Sequence, residues 1–203
     1  VAVKGMKPAP QRSSQLEPGR EAGLVRAAQG GDQAAFTEIV RHFQRPIYRV
    51  AYALTRNASD ADDLAQETFV RAYQAIGRFR AGEPLYPWLS RIAVNLTYSL
   101  FRRRKRRPET SIEPLMESGR QWAADDDPAE SAAESEQHER LAAAFAELSH
   151  EHQAVLTLRV VEDLSYDDIA RTLGVPAGTV MSRLSRARVE LRTRFKARTG
   201  EGP

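Results

Sequence analysis

The chain has 203 residues, of which 41% are hydrophobic and 7% aromatic, and 30 Lys and Arg residues against 27 Asp and Glu residues give a net charge of +3. This length fits one domain or two small ones. Because the chain has no cysteine, disulfide scaffolds, thiolate metal sites and thiol nucleophiles are excluded, and we expect a cytoplasmic location. No stretch approaches the roughly 18 apolar residues that cross a bilayer, and the start of the chain lacks the apolar segment of a signal peptide, so we expect no membrane insertion.

The charge is unevenly distributed along the chain. Residues 108–138 carry a net charge of −8, whereas residues 171–198 hold eight basic residues and one acidic residue. Basic segments attract polyanions such as nucleic acids, and acidic stretches rich in Pro and Ser do not form a packed core. We therefore predict a disordered N-terminal tail (1–20, net charge +3), a first domain (21–107, +7), a flexible acidic linker (108–138), a second domain (139–198) and a short tail (199–203).

The spacing of apolar residues in the first domain predicts helices and no strands. One stripe runs from Phe36 to Leu54 and is interrupted by Pro46, so it forms either two helices or one kinked helix. After the cap residues 57–60, a second stripe consists of Ala61, Leu64, Ala65, Phe69, Ala72, Tyr73 and Ile76. A third helix is expected to begin near Trp88, after a loop, and to run into the basic sequence RRRKRR.

The second domain is also predicted to be helical, which makes the fold class all-α. Ser165 and Asp168 have the spacing of a capping box, and Gly174 is placed to end the helix that they begin. Pro176 and Thr179 then open a long helix rich in arginine. A helix, a turn with glycine and a second helix form a helix-turn-helix, whose second helix enters the major groove of DNA.

Side chains early on this last helix are in position to reach base edges and phosphates, and arginine can pair with guanine through two hydrogen bonds. The candidate contacts to duplex DNA are Thr179, Met181, Ser182, Arg183, Arg186 and Arg188. The alternative is a surface helix with an ordinary solvated charge run. We favour DNA binding because the basic residues coincide with the turn and its cap.

Two helices of the first domain carry polar faces. On the second helix, Asp62 with Gln66 and Asp63 with Glu67 are spaced i, i+4, away from the apolar stripe. By themselves these four residues are compatible with a solvated face or, less well, with a carboxylate metal site, which needs ligands that point into a cleft.

On the third helix, one face carries an aromatic ring, an amide and arginines, namely Trp88, Arg91, Asn95 and Arg102. Bases of single-stranded DNA stack on aromatic rings, and phosphates pair with cations. This face therefore suits single-stranded DNA, although Trp88 could equally be a core residue.

Signs of catalysis are missing from the sequence. We find no phosphate-binding glycine loop and no paired acid and base. The four histidines, His42, His138, His150 and His152, have no metal-ligand spacing. We therefore expect no catalytic residue, no metal site, no cofactor and no enzymatic activity.

Together, three segments resemble the extracytoplasmic-function (ECF) sigma factors, the two-domain initiation subunits of bacterial RNA polymerase. They are DADDLAQETFVRAYQAI (60–76), YPWLSRIAVNLTYSLFRRRKRR (86–107) and LSYDDIARTLGVPAGTVMSRLSRARVEL (164–191). Their order is that of regions 2 and 4 of this family, with an acidic linker in place of a globular region 3. The sequence RIAVN (91–95) is most similar to the envelope-stress branch.

The resemblance implies partners for each part of the chain. The outer face formed by Asp62, Asp63, Gln66 and Glu67, with Arg71, would dock on the clamp helices of the polymerase β′ subunit. Region 4 would bind the −35 promoter element as duplex DNA and contact the β flap. The linker, with Asp125, Asp126 and Asp127, would occupy a basic channel of the polymerase, and an anti-sigma protein would hold the factor inactive.

The resemblance also implies that the third helix and the loop 79–86 recognise the −10 element and hold a flipped base. The corresponding residues are Phe79, Tyr86, Trp88, Arg91, Asn95, Arg102, Arg103 and Arg104. Family members commonly enter this helix with a Phe-Arg-Thr-Trp-like sequence, whereas this chain has Leu85-Tyr86-Pro87-Trp88. Because Pro87 stiffens the end of the loop and removes a main-chain donor, we do not transfer the family's −10 sequence preference.

Two other classes of function stay open at this point. A free-standing helix-turn-helix regulator would explain residues 164–197 but gives no role to the third helix or to the Asp62 face. An RNA-binding protein or metal-dependent nuclease would use Asp62, Asp63 and Glu67, and a chelator would then inhibit it.

Overall fold

A computed structural model describes residues 16–106 and 132–199, and within these ranges the regular structure is helical, with one isolated bridge between Ala81 and Glu83. The helices are α1 (Pro18–Gln29), α2 (Gln33–Thr55), α3 (Ala58–Ala75), α4 (Leu85–Arg106), α5 (Ala132–Ala146), α6 (His150–Leu156), α7 (Tyr166–Leu173) and α8 (Ala177–Thr199). A 3₁₀ turn (Ile76–Arg78) follows α3, and a π-helical turn (Thr157–Val161) continues α6. None of the described helices has the length and apolar character needed to span a bilayer.

The all-α prediction is confirmed for the described residues, and the alternatives at Pro46 are resolved. α2 is one helix that continues through Pro46, although proline removes one main-chain hydrogen bond there. Its apolar stripe supplies the centre of the first half, because Ile39, Phe43 and Ile47 are fully buried. The Asp32 side chain caps the first turn by accepting hydrogen bonds from the Ala34 and Ala35 amides.

α4 begins at Leu85, three residues before the predicted start near Trp88. Glu21, on α1, accepts a hydrogen bond of 2.8 Å from the Leu85 amide and so acts as a cap supplied from 64 residues away. Pro87 lies in the first turn of α4, where a helix has no partner for the missing N–H. The predicted loop is therefore shorter, and Leu85 and Tyr86 belong to the helix.

Two boundaries differ from those expected from composition. α1 already begins at Pro18, where proline suits the first helical turn. α5 begins at Ala132, inside the segment predicted as linker, because its many alanines together with Glu and Leu favour helix although it is acidic like the linker.

The second half contains the predicted helix-turn-helix, formed by α7 and α8. The Ser165 side chain caps α7 by accepting a hydrogen bond from the Asp168 amide, and Gly174 ends it with a left-handed φ of 67°. Val180, Leu184 and Ala187 of α8 are buried. They anchor α8 and leave Met181, Ser182, Arg186 and Arg188 exposed on its outer side.

Candidate nucleic-acid interface

The outer face of α3 carries the predicted polymerase-binding residues. Asp63, Gln66 and Arg71 are exposed, and Asp62 and Glu67 are partly exposed. Arg71 donates a hydrogen bond of 2.7 Å to Glu67. Partial burial raises the pKa of Asp62, and the neighbouring Asp63 raises it further. The structure thus places all five residues on one accessible, mostly acidic surface.

Beside this face lies an apolar groove that the sequence patterns did not indicate. It has a volume of about 470 Å³ between α2 and α3, and Phe36, Val40 and Phe69 line it together with Asp62 and Gln66. Two further lining residues, Val70 and Tyr73, are 51% and 50% exposed. Exposed apolar groups beside a polar face are typical of a protein-binding surface.

Tyr73 corrects the sequence-based assignment of the apolar stripe. The sequence predicts it on the buried face of α3, but it is 50% exposed, and its ring packs against that of Phe36 at 5.0 Å between centroids. The position of Val70 in the groove could not be predicted from the sequence, because a single apolar residue on an outer face is not part of a periodic apolar pattern.

The N-terminal end of α4 and the loop before it form the second surface. Gln29 of α1 holds the loop by donating hydrogen bonds to the carbonyl oxygens of Ile76 and Phe79. The Phe79 and Trp88 rings pack at 4.9 Å between centroids, and both side chains are partly exposed. The structure therefore brings these two predicted residues together as one aromatic platform.

The rest of α4 distributes the predicted residues over different environments. Arg91, Asn95, Arg102 and Arg103 are exposed. Arg104 forms a two-pronged pair with Asp60 of α3, with both N–O distances 2.8 Å, so this cation also ties α4 to α3.

Tyr86 stands apart from the other predicted −10 residues because it is only 3% exposed. Its hydroxyl donates a hydrogen bond of 2.6 Å to Glu162, in the second half of the chain. Burial and the adjacent Glu162 carboxylate raise the pKa of Tyr86. In this conformation Tyr86 is a contact between the two halves and is not accessible to DNA.

The third surface is the start of α8. Met181 is 57% exposed, Ser182, Arg186 and Arg188 are exposed, and Thr179 is partly exposed. Arg186 lies along the helix and donates to the Ser182 carbonyl and hydroxyl oxygens, at 3.3 Å each. The structure thus gathers these predicted residues on one outward face of the helix-turn-helix.

Other cations of the second half are held by carboxylates. Arg183 is 21% exposed and lies 3.0 Å from Glu151 of α6. Arg198 and Arg194 both donate to Glu147 and lower the pKa of its carboxyl group. Arg194 also bonds Glu190, whose pKa it lowers together with His152. The pairs with Glu151 and Glu147 join α8 to α6 and to the residue that follows α5. The composition of residues 171–198 therefore overstates the positive charge that is free to meet DNA.

The metal-site alternative gains no geometric support. Across residues 16–106 and 132–199, no group of three or more His, Asp or Glu side chains is arranged to hold a metal ion. Asp62 borders the apolar groove and Glu67 is paired with Arg71, whereas a carboxylate site needs ligands that converge.

Comparison with known protein families identifies both halves. The profile of Sigma-70 region 2 matches residues 39–107, and that of Sigma-70 region 4 matches residues 138–191. The chain is 40% identical to the ECF RNA polymerase sigma factor SigE of Mycolicibacterium smegmatis over 166 residues, 80% of this chain and 63% of that protein. It is 37% identical to the ECF RNA polymerase sigma-E factor of Haemophilus influenzae, over 81% of this chain and 89% of that protein.

A solved structure agrees with these relatives. The fold is similar to that of the sigma factor RpoE of Bartonella quintana in its complex with the anti-sigma factor NepR, with a TM-score of 0.60 and 27% identity. The match covers 79% of this chain and 96% of that one.

Proposed function

Since the chain belongs to the ECF RNA polymerase sigma factors, we propose that it directs core RNA polymerase to promoters and assists strand opening there. The observation that carries this proposal is the presence, in one chain, of an exposed α3 face beside an apolar groove and of a helix-turn-helix with an outward polar face. A free-standing regulator would need only the second of these.

Core polymerase binds, in this proposal, to α3 and the adjoining groove. Asp62, Asp63, Gln66, Glu67 and Arg71 supply a polar rim that would meet the β′ clamp helices. Val70 and Tyr73 supply exposed apolar area, whose removal from water is favourable at about 25 cal/mol per Å². The acidic rim sets the orientation of docking, and the groove supplies affinity.

Promoter recognition is divided between two surfaces. The Phe79 and Trp88 rings would stack on unpaired bases of the −10 strand, and Arg91, Asn95 and the basic end of α4 would hold its backbone. The side chains of α8 from Thr179 to Arg188 would read −35 duplex DNA in the major groove. The separation of single-strand and duplex binding on different helices is what strand opening requires.

The remaining expectations concern partners and chemistry. An anti-sigma protein is proposed as an inhibitor, because the similar RpoE was solved with its anti-sigma factor NepR. The chain itself supplies binding surfaces and no catalysis, so the chemistry belongs to the polymerase, and we propose that the protein acts beside it in the cytoplasm. The linker residues Asp125–Asp127 lie outside the described residues, and their channel role stays a prediction.

Transcription in vitro tests the proposal. The purified chain is added to bacterial core polymerase on a fragmented genomic library, and the start sites are sequenced. Discrete starts that share two spaced motifs are expected. If no start depends on the protein and a pull-down with core polymerase also fails, the proposal is wrong, and a free-standing duplex-binding regulator is the better explanation.

A further inference from the structure

We propose that Glu162 holds the free chain in a closed form in which the second half covers part of the −10 surface, so that the second half and single-stranded promoter DNA compete for α4. The inference rests on the −10 role of α4 proposed above. It assigns a function to Glu162 and Arg49, which none of the three binding surfaces uses.

The centre of the contact is one carboxylate with partners on two helices of the first half. The Glu162 side chain has no exposed area, and its two oxygens accept hydrogen bonds of 2.9 Å each from the Arg49 guanidinium of α2. The Tyr86 hydroxyl of α4 donates a third hydrogen bond of 2.6 Å. Two-pronged pairs of this kind fix geometry as well as charge.

A buried carboxylate favours the closed form only while its partners are present. Removing an ion from water is costly, and a buried pair that loses one partner leaves an uncompensated charge. In an open form Glu162 and Arg49 would each be surrounded by water, and neither would need the other. A change at Arg49 therefore penalises the closed form and leaves the open form almost unaffected.

Further contacts extend the closed interface along α4. The Thr172 hydroxyl of α7 donates to the Pro87 carbonyl at 3.2 Å. Near the other end, the Tyr98 hydroxyl donates to the His150 carbonyl at 3.0 Å, and the Phe101 and His150 rings stack at 4.4 Å between centroids. The second half thus contacts α4 from its first turn to its basic end.

The helix-turn-helix itself faces the −10 helix in this arrangement. A Cβ atom on Gly174, at the turn between α7 and α8, would lie 3.2 Å from the Arg91 guanidinium. Arg91, which is proposed to hold −10 DNA, therefore lies against the turn of the helix-turn-helix that is proposed to bind the −35 element. In contrast, Gln66 on α3 and Met181 and Arg186 on α8 remain exposed. The closed form should thus bind duplex DNA and core polymerase but resist single-stranded DNA.

Closure is measured first, without DNA. Because the chain has no cysteine, Thr37→Cys on α2 and Val189→Cys on α8 introduce two labelling sites at exposed positions, and fluorescence energy transfer reports their separation. Arg49→Ala is expected to shift the ratio of closed to open molecules by about 100-fold or more, and Glu162→Ala should open the chain from the opposite side. Arg20→Ala, which breaks only the exposed pair with Glu38, is the matched control and should leave the separation unchanged.

Binding to a fluorescein-labelled single-stranded DNA of random sequence is measured next, on the same proteins. Since apparent affinity scales with the competent fraction, Arg49→Ala should tighten single-strand binding by about tenfold or more, while affinity for duplex DNA and for core polymerase stays the same. Circular dichroism verifies that each variant keeps its helices.

Two results would overturn the inference. One is an unchanged label separation in both opening variants, and the other is a larger separation with no gain in single-strand affinity. Failure of the proposed function looks different, since no variant would then support promoter-dependent transcription, whatever the label separation shows.

Discussion

Gly174, in the turn of the helix-turn-helix, lies against Arg91 of the first half of the chain. Its replacement tests two effects, the cost of a left-handed backbone conformation and the crowding of Arg91. The residue has a φ of 67°, a conformation that costs an L-residue with a Cβ atom about 1–2 kcal/mol. A Cβ atom would also meet Arg91 Nη2 at 3.2 Å. Since this is the end of a flexible side chain, Arg91 can yield by a few tenths of an ångström, and the backbone term should dominate.

Gly174→Ala should therefore lower the free energy of unfolding by about 1–2 kcal/mol, which for a chain of this length lowers Tm by roughly 2–8 °C. Thermal unfolding followed by circular dichroism measures it. Gly174→Asn is the control, because asparagine brings the same Cβ atom but tolerates a left-handed φ, and it should cost clearly less than alanine.

The Arg91→Ala background then isolates the contact between the halves. In that background, Gly174→Ala should still lower the free energy of unfolding through its backbone conformation. Only the small contribution from crowding of the Arg91 side chain should disappear. Equal destabilisation by Asn and Ala would refute the backbone explanation. A cost that disappears entirely in the Arg91→Ala background would show that the contact, rather than φ, determines it.

Three further predictions address the proposed surfaces. Charge reversal at Asp62 and Glu67 should weaken capture of core polymerase in a pull-down and leave duplex DNA affinity unchanged, and loss of both activities together would indicate misfolding. Arg183→Ala should cost about 1–3 kcal/mol on promoters that carry its base and relax preference at that position, whereas an equal loss on all promoter variants would assign Arg183 to a phosphate. Burial raises the pKa of Glu162 above its ordinary value of 4.5, against the lowering effect of Arg49 and Tyr86, so the closed form binds the extra proton. This protonation adds to the stability of the closed form below pH 4.5, and the added part is lost as pH rises through the raised pKa. At neutral pH the hydrogen bonds of the ionised carboxylate with Arg49 and Tyr86 then hold the closed form. The label separation should therefore be smallest in acid, and Glu162→Gln should lose this pH dependence.

The helix-turn-helix could be predicted from sequence because its signals are local. Ser165 bonds the amide three residues on, and Gly174 supplies the left-handed φ that ends the helix. Both depend on side chains and backbone within one or two turns, so the residue types at those positions carry the information. The buried stripe of α8, including Val180 and Leu184, follows from helical spacing in the same way.

The start of α4 could not be predicted by such rules. Its cap is Glu21, 64 residues earlier in the chain, and Leu85 and Tyr86 look like loop residues until α1 lies beside them. From the sequence alone Pro87 is expected to stiffen the end of a loop, yet in the first turn of a helix its lack of an N–H carries no penalty. The rule that proline lacks an N–H is correct for Pro87, but sequence alone places this residue in a loop and not in α4.

Glu162 shows why the contact between the halves was invisible in the sequence. It lies between Val161 and Asp163, and an acidic residue next to another is typical of a solvated position. Its burial depends on Arg49 and Tyr86, which are 113 and 76 residues away. The sequence predicts that Tyr86 contacts DNA, and in the closed form its hydroxyl bonds Glu162 instead. The predicted DNA contact of Tyr86 and its hydrogen bond to Glu162 are compatible only if the two halves separate before DNA binds, because one buried hydroxyl cannot contact both partners at once.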